Sequence, residues 1–543
     1  MRSLVVVSVT ALAVSVMSAQ RNPHTEIFAT SDQCGACHNG LRTPAGEDVS
    51  IGASWRASMM ANSSRDPYWQ AAVRREVLDH PAAAAEIQDE CATCHMPMSR
   101  TEARLNGRYG GVFDHLPVAP NADRTDRLAH DGVACSMCHQ ITDQKLGTAD
   151  SFTGGYVVSP SGPAATPRAS TLGRPMFGPF KIERGLTTIM RSATGFEPTE
   201  ALHVRQSELC ATCHTLITKA LGPSGDVIGE LPEQVPFLEW KHSAYGAEQR
   251  SCQSCHMPAV EQDTPIASVL GAPRKGLARH TFVGGNFFMQ RLLNRYRDEL
   301  GVLAAAAELE AAVGTTVANL QTSTAQLSIE RAERSGARLI ADVQVRNLTG
   351  HKLPTGYPSR RVWLHIAVRD RSGRTVFESG AIAPDGSIAG NDNDGDALAI
   401  EPHYSEIRSA DQVQIYESIM GDAGGRPTTG LLTAVRYLKD NRLVPRGFDK
   451  SSANHRIAVI GSAVEDADFG DSGDRVRYAI DVDEAAGPFQ IDAELRFQVI
   501  GFRWAENLKG YKSEETDRFV GYYESMASSS SEVLVARRQV VIK

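Results

Sequence analysis

Every cysteine of the chain stands in a Cys-x-x-Cys-His pentad: Cys34 and Cys37, Cys91 and Cys94, Cys135 and Cys138, Cys210 and Cys213, Cys252 and Cys255. The closing histidines are His38, His95, His139, His214 and His256. Two thiols three residues apart, followed at once by an imidazole, are the attachment pattern of haem c. The thiols add to the vinyl groups and the histidine becomes the proximal iron ligand. Zinc ribbons, thioredoxin-like dithiols and disulfide frameworks also use cysteine pairs, but none needs a histidine after every second cysteine. With 10 cysteines and none left over, the spacing predicts five covalently attached haem c groups.

Each iron then needs a second ligand or keeps an open face, and that choice separates a carrier from a catalyst. Of the 16 histidines, eleven lie outside the pentads, and seven of those precede residue 300. This is enough to give every iron two imidazoles, the arrangement that exchanges electrons with little rearrangement. The expected distal set is His24, His115, His130, His242 and His280, with His203 and His80 in reserve. His242 and His280 each have an aromatic neighbour, Trp240 and Phe282, suited to packing on a porphyrin. Met59 and Met60 are candidate thioether ligands, which would raise a haem's potential, or else core residues. Met96 and Met257 follow proximal histidines and read as packing. His351, in Gly350-His351-Lys352-Leu353-Pro354-Thr355-Gly356, either leans onto the haem region as a ligand or is an exposed turn histidine.

A possible Ca2+ site is Asp392, Asp394 and Glu401, which fall at places three, five and twelve of a calcium loop. Gly390 at the first place offers no side-chain ligand, so an EF-hand fails, and a solvated acidic turn is the alternative.

Four segments must position these groups. Residues 1–19 read as a signal peptide: basic Arg2, apolar Leu4 to Val16, small Ser18-Ala19. The apolar run is short of the roughly 20 residues a bilayer span needs, and no later stretch is long and apolar enough. With no cysteine before Cys34, a lipid-modified N-terminal cysteine is not expected. Export to the periplasm or beyond agrees with the cofactor. Residues 20–285 hold all five pentads among short helices and irregular turns, with a Pro/Gly/Ser loop from Ser159 to Pro179. Residues 286–325 form a helical connector, with Phe287, Phe288, Leu292, Leu293, Tyr296 and Leu300 at helical spacing and breaks at Gly301 and Gly314. From 326 to 543 the period becomes two. Leu339, Ala341, Val343 and Val345 alternate with polar residues; Val362 to Val368, Ile491 to Val499 and Val533 to Ile542 repeat the pattern. The expected fold is therefore multidomain: a mainly α and irregular multihaem cytochrome c domain followed by an immunoglobulin-like β-sandwich, with 385–440 as an elaborated insertion.

The Cys-His-Met-Pro segments at Cys94 to Pro97 and Cys255 to Pro258, and Trp240-Lys241-His242-Ser243-Ala244, resemble multihaem c cytochromes. So do Asp131-Gly132-Val133-Ala134-Cys135 and His280-Thr281-Phe282. The group most similar in character is that of the tetrahaem electron acceptor of bacterial hydroxylamine oxidation, over about residues 24–290. The resemblance implies haems stacked in close pairs that pass electrons along the chain. Five pentads and a large β-region depart from that group. Pentahaem nitrite reductases look less similar, because their catalytic haem typically has lysine where all five pentads here carry histidine.

A net charge of −8 argues against nucleic acid and favours redox partner proteins that present a basic patch. The expected role is an electron carrier and not an enzyme. Two alternatives stay open. One is a reductase or oxidase of a small nitrogen or sulfur compound at an open iron, with Tyr68, Arg108 and Tyr109 as loose candidates. The other is a conducting assembly, by self-association or within a membrane complex.

Overall fold

The computed structural model describes residues 26–119, 122–158, 173–482 and 485–541. His24, the expected signal peptide and 159–172 of the Pro/Gly/Ser loop lie outside the described residues. The end of that loop is more regular than its composition suggests, since Arg174–Gly178 is a strand paired in parallel with Phe196–Glu200.

Short helices carry the pentads. Asp66 starts the helix Pro67–Asp79 by accepting the amides of Tyr68 and Trp69 at 2.9 and 3.1 Å, with Pro67 in the first turn. Helices Ser31–His38, Ala84–His95 and Cys252–His256 end on the first, second and fifth pentads. The third spans the turn Cys135–Cys138, and the fourth leaves the helix Ser207–Ala211. Helical spacing puts residues i, i+3 and i+4 on one face, so in the first, second and fifth pentads both thiols and the histidine share a helix face.

The connector forms two helices, Phe287–Arg295 and Ala306–Ser323. Gly301 lies in the break between them with φ +62°, and Val118 Cγ1 sits 2.6 Å from where a Cβ would stand. Gly314 lies inside the second helix and does not interrupt it; one glycine weakens a helix by about 1 kcal/mol, too little to break eighteen residues.

Beyond the connector three sheets form among the described residues, the smallest pairing Pro427–Thr428, Ser418–Gly421 and Arg436–Asp440 in that order. Of the two larger sheets, one runs in the order Glu406–Ile407, Gly473–Asp481, Arg338–Asn347, Ala325–Ser335. The other runs Thr375–Ser379, Arg361–Arg369, Phe489–Gln498, Ser531–Val541, with Ile415–Tyr416 also paired to Arg361–Arg369. The alternating apolar faces, Leu339 to Val345 on one sheet and Val362 to Val368 on the other, are buried in one hydrophobic core.

That core does not stop at the β-region. It includes Tyr68, Ala71, Phe287 and Phe288. Two helices unforeseen in the alternating pattern, Phe502–Leu508 and Glu514–Met526, follow the strand Phe489–Gln498. The second docks on Pro67–Asp79: Phe519 meets Tyr68 edge-on at 5.0 Å, and Arg74 grips Glu515 through two 2.8 Å bonds. No helix among the described residues is long and apolar enough to cross a membrane.

Candidate functional site

The ten thiols form no disulfide. Instead, thiols of different pentads touch: Cys34 with Cys135, Cys94 with Cys213, and Cys210 with Cys252. These pairs join the first pentad to the third, and the fourth to both the second and the fifth; Cys138 of the third lies within electrostatic reach of Cys213 of the fourth. Cys91, Cys94, Cys138, Cys210 and Cys213 are surrounded by protein, and burial raises the Cys138 thiol to about 12. They nevertheless keep partly accessible surface, as side chains do when they line an interior space.

The proximal imidazoles are oriented by the main chain. His38 Nδ1 bonds the Ile266 carbonyl at 2.6 Å, His95 Nδ1 that of Ser63 at 2.9 Å and His139 Nδ1 that of Phe177 at 2.5 Å; His256 Nδ1 does the same with Val283. A carbonyl acceptor fixes the proton on Nδ1 and leaves Nε2 as the lone pair, which is how metal-binding histidines are held. Burial pushes His95 down to about 4, so the ring is neutral at pH 7 as a ligand requires.

Two further imidazoles face proximal ones. The rings of His139 and His280 are 6.3 Å apart and 22° from parallel, and those of His256 and His351 are 6.3 Å apart and 15° from parallel. Direct stacking in this protein is closer: 3.6 Å for Tyr296 on Tyr522, 4.4 Å for Trp69 on His95 and 5.5 Å for Phe237 on Trp240. Two metal–imidazole bonds of about 2 Å, plus about 1 Å from each nitrogen to its ring centre, span about 6 Å. His280 Nδ1 bonds the Ala278 carbonyl at 2.9 Å and His351 Nδ1 that of Lys352 at 2.8 Å, again freeing Nε2. The pentads and these pairs fit a haem iron.

The other expected ligands fare differently. His115 Nδ1 bonds Asp126 Oδ1 at 2.7 Å, which leaves Nε2 available. His130 commits Nε2 to the His115 carbonyl at 2.6 Å, and His203 commits its own to that of Ile141 at 2.8 Å, so only Nδ1 is left on each. His80 is buried, and neither ring nitrogen has a protein partner. His242 is a correction. It follows the helix Pro236–Lys241, and its ring turns to Phe448, edge-on at 4.9 Å, with Nε2 on the Asp449 carbonyl at 3.1 Å. It faces the β-region and not a pentad. Met59 packs against the main core.

Of the three candidate calcium residues, two have carboxylates engaged by protein donors. Asp394 is held by Arg361 through bonds of 2.8 and 2.9 Å and accepts the Ile388 amide, while Glu401 accepts the amides of Asp392 and Val413 at 3.0 Å each. These carboxylates are satisfied by protein donors. A different trio, His403, Asp466 and Asp474, gathers within 4.8 Å. Here Gln414 and Asn441 both donate amide hydrogens to His403 Nδ1, at 2.7 and 3.1 Å. Their oxygens are fixed by the amides of Tyr404 and Glu417. Nε2 therefore carries the proton and donates to Asp466 at 3.3 Å, so the trio is a hydrogen-bond network.

Around His214 the surroundings differ. It keeps the most accessible surface of the proximal histidines while being surrounded by protein, as a ring lining interior space does. Burial and the nearby charges of His256 and Arg360 push its pKa down. Arg360 has the Thr355 carbonyl at 2.6 Å and, among the described residues, no carboxylate within ion-pair distance; burial lowers it to about 10. The hydroxyls of Tyr68 and Tyr357 lie 3.4 Å apart. Of the three loose catalytic candidates, Tyr68 is buried whereas Arg108 and Tyr109 are exposed.

No protein-family model and no curated protein matches the chain. Among solved structures, the pentahaem cytochrome c552 from Thermochromatium tepidum is similar, with a TM-score of 0.50 and 16% identity over 96% of this chain and 100% of that one. The likeness shows a multihaem cytochrome fold, and it runs through the β-region as well as the pentads.

Proposed function

We propose that the protein is an exported c-type cytochrome that relays electrons between redox partners through five covalently held haems. The observation that carries this is the His139–His280 pair, two neutral imidazoles set 6.3 Å apart with each Nδ1 bound to a carbonyl. Haem c held at the pentads supplies reversible one-electron exchange. The protein's part is to fix both imidazoles rigidly, so that a change of oxidation state needs little movement, and to gather the pentads closely through thiols that touch. The net charge of −8 favours a partner with a basic docking face. The β-region, whose two larger sheets have alternating inward residues, is read as a sandwich of the immunoglobulin kind that braces the haem region.

The test is intact mass and pyridine haemochrome analysis of protein exported with the haem-attachment machinery, followed by low-temperature EPR. Five haems per chain with low-spin signals are expected; a chain without covalent haem would overturn the reading.

A second reading, reduction of a small oxyanion, is favoured by Arg360, whose charge acts on His214. A buried guanidinium with Asp66 nearby but, among the described residues, no carboxylate in ion-pair contact attracts an anion.

A further inference from the structure

We infer that His351, from the β-region, is the second axial ligand of the iron whose first ligand is His256. This deepens the relay reading and rests on it. The geometry is close to that at His139 and His280: ring centres 6.3 Å apart, planes 15° apart, and Nδ1 held by a carbonyl so that Nε2 is left free.

A ligand on a long loop is useful only if the loop is held still, and this one is. It joins the strands Arg338–Asn347 and Arg361–Arg369. Asn347 Nδ2 and Thr349 Oγ1 both donate to the His351 carbonyl at 2.8 Å. The adjacent Lys352 is fully buried; its Nζ reaches Asp440 Oδ2 at 2.8 Å and the Ala458 carbonyl at 3.1 Å.

The haem region grips the same loop. Glu239, fully buried in the helix Pro236–Lys241, accepts the Lys352 amide at 3.1 Å and the Thr355 hydroxyl at 2.6 Å, and pairs with Arg442 at 3.0 Å. Ser243 Oγ donates to the Gly350 carbonyl at 3.2 Å, and Tyr245 Oη to that of Leu348 at 2.6 Å. All three gripping residues shortly precede the fifth pentad. The chain therefore ties the approach to Cys252 directly to the loop that presents His351. Glu239 is a positioning residue in this arrangement. The β-region is then part of the redox unit, because it completes one of the iron sites.

The experiment uses the full-length holoprotein with His351→Gly, which leaves space for an added imidazole. Ferric EPR and optical spectra should show one iron in five leaving the low-spin set and becoming high-spin, with free imidazole restoring the original spectrum. Glu239→Gln should give a fraction of the same high-spin signal, while His242→Ala should give none. A haem-loaded His351→Gly protein with an unchanged spectrum overturns the ligand role alone. If that variant misfolds, His351→Met provides the second arm: a methionine-type charge-transfer band on one haem supports the role, and its absence in folded protein overturns it. Protein lacking covalent haem altogether would instead remove the relay reading beneath it.

Discussion

The imidazoles of His139 and His280 face one another with ring centres 6.3 Å apart, although 141 positions separate the two residues in the chain. Removing His280 should therefore act on a single iron. His280→Ala is expected to turn one of five low-spin ferric signals high-spin in EPR and to open that iron to cyanide. An unaltered set of signals would show that another group completes the site.

Arg360 is expected to matter for anions and not for electron relay. In holoprotein titrated optically with nitrite, Arg360→Gln should weaken binding at least about tenfold, since a hydrogen bond to a charged group contributes about 1.5–3 kcal/mol. If the wild-type protein shows no spectral response to nitrite, the oxyanion-reductase reading is lost and the relay reading stands alone.

Asp394 contributes to stability through Arg361, not through calcium. Asp394→Ala strands a buried guanidinium and should destabilise the protein by about 3–5 kcal/mol. In the wild-type protein neither added Ca2+ nor a chelator should move the melting temperature. A calcium-dependent rise would restore the metal assignment.

The pair His365 and Glu494, on adjacent strands, predicts a pH dependence. His365 binds Glu494 at 3.3 Å and Glu378 at 3.0 Å; burial works against its charge, but these bonds outweigh it and raise its pKa. Hydrogen bonding to His365 lowers Glu494 to about 2. A raised histidine pKa stabilises fully below its unfolded value of about 6.5, and this is lost as pH climbs through the folded value. A depressed carboxyl stabilises above its unfolded value of about 4.3, and this is lost as pH falls toward 2. The full contribution, about 1 kcal/mol after allowing for partial exposure, thus lies between about pH 4.3 and 6.5. Denaturant midpoints of the wild type should be higher at pH 5.5 than at pH 8, with that difference reduced in His365→Gln.

The strands from 325 onward were readable because alternation is local: Leu339, Ala341, Val343 and Val345 carry their inward face in their spacing alone. The helix Glu514–Met526 is masked by its strand-like surroundings, although Phe519, Tyr522 and Tyr523 stand at i, i+3 and i+4 as a helical stripe. Gly314 does not break its helix for the opposite reason, since a single glycine carries no information on the helix that neighbours stabilise around it.

The pentads are covalent chemistry, and their meaning depends only on residues three and four apart. The sequence by itself therefore determined where haem is expected and which histidine is proximal. The second ligand is a matter of distance through space. His242 and His280 look equally suited from their neighbours, but only His280 is brought to a proximal ring, while His242 is turned onto Phe448. His351 meets His256 because buried Glu239 and Lys352 lock a distant loop in place. Tertiary packing alone decides such encounters, because an imidazole reaches a metal only when two remote backbones are held a few ångströms apart.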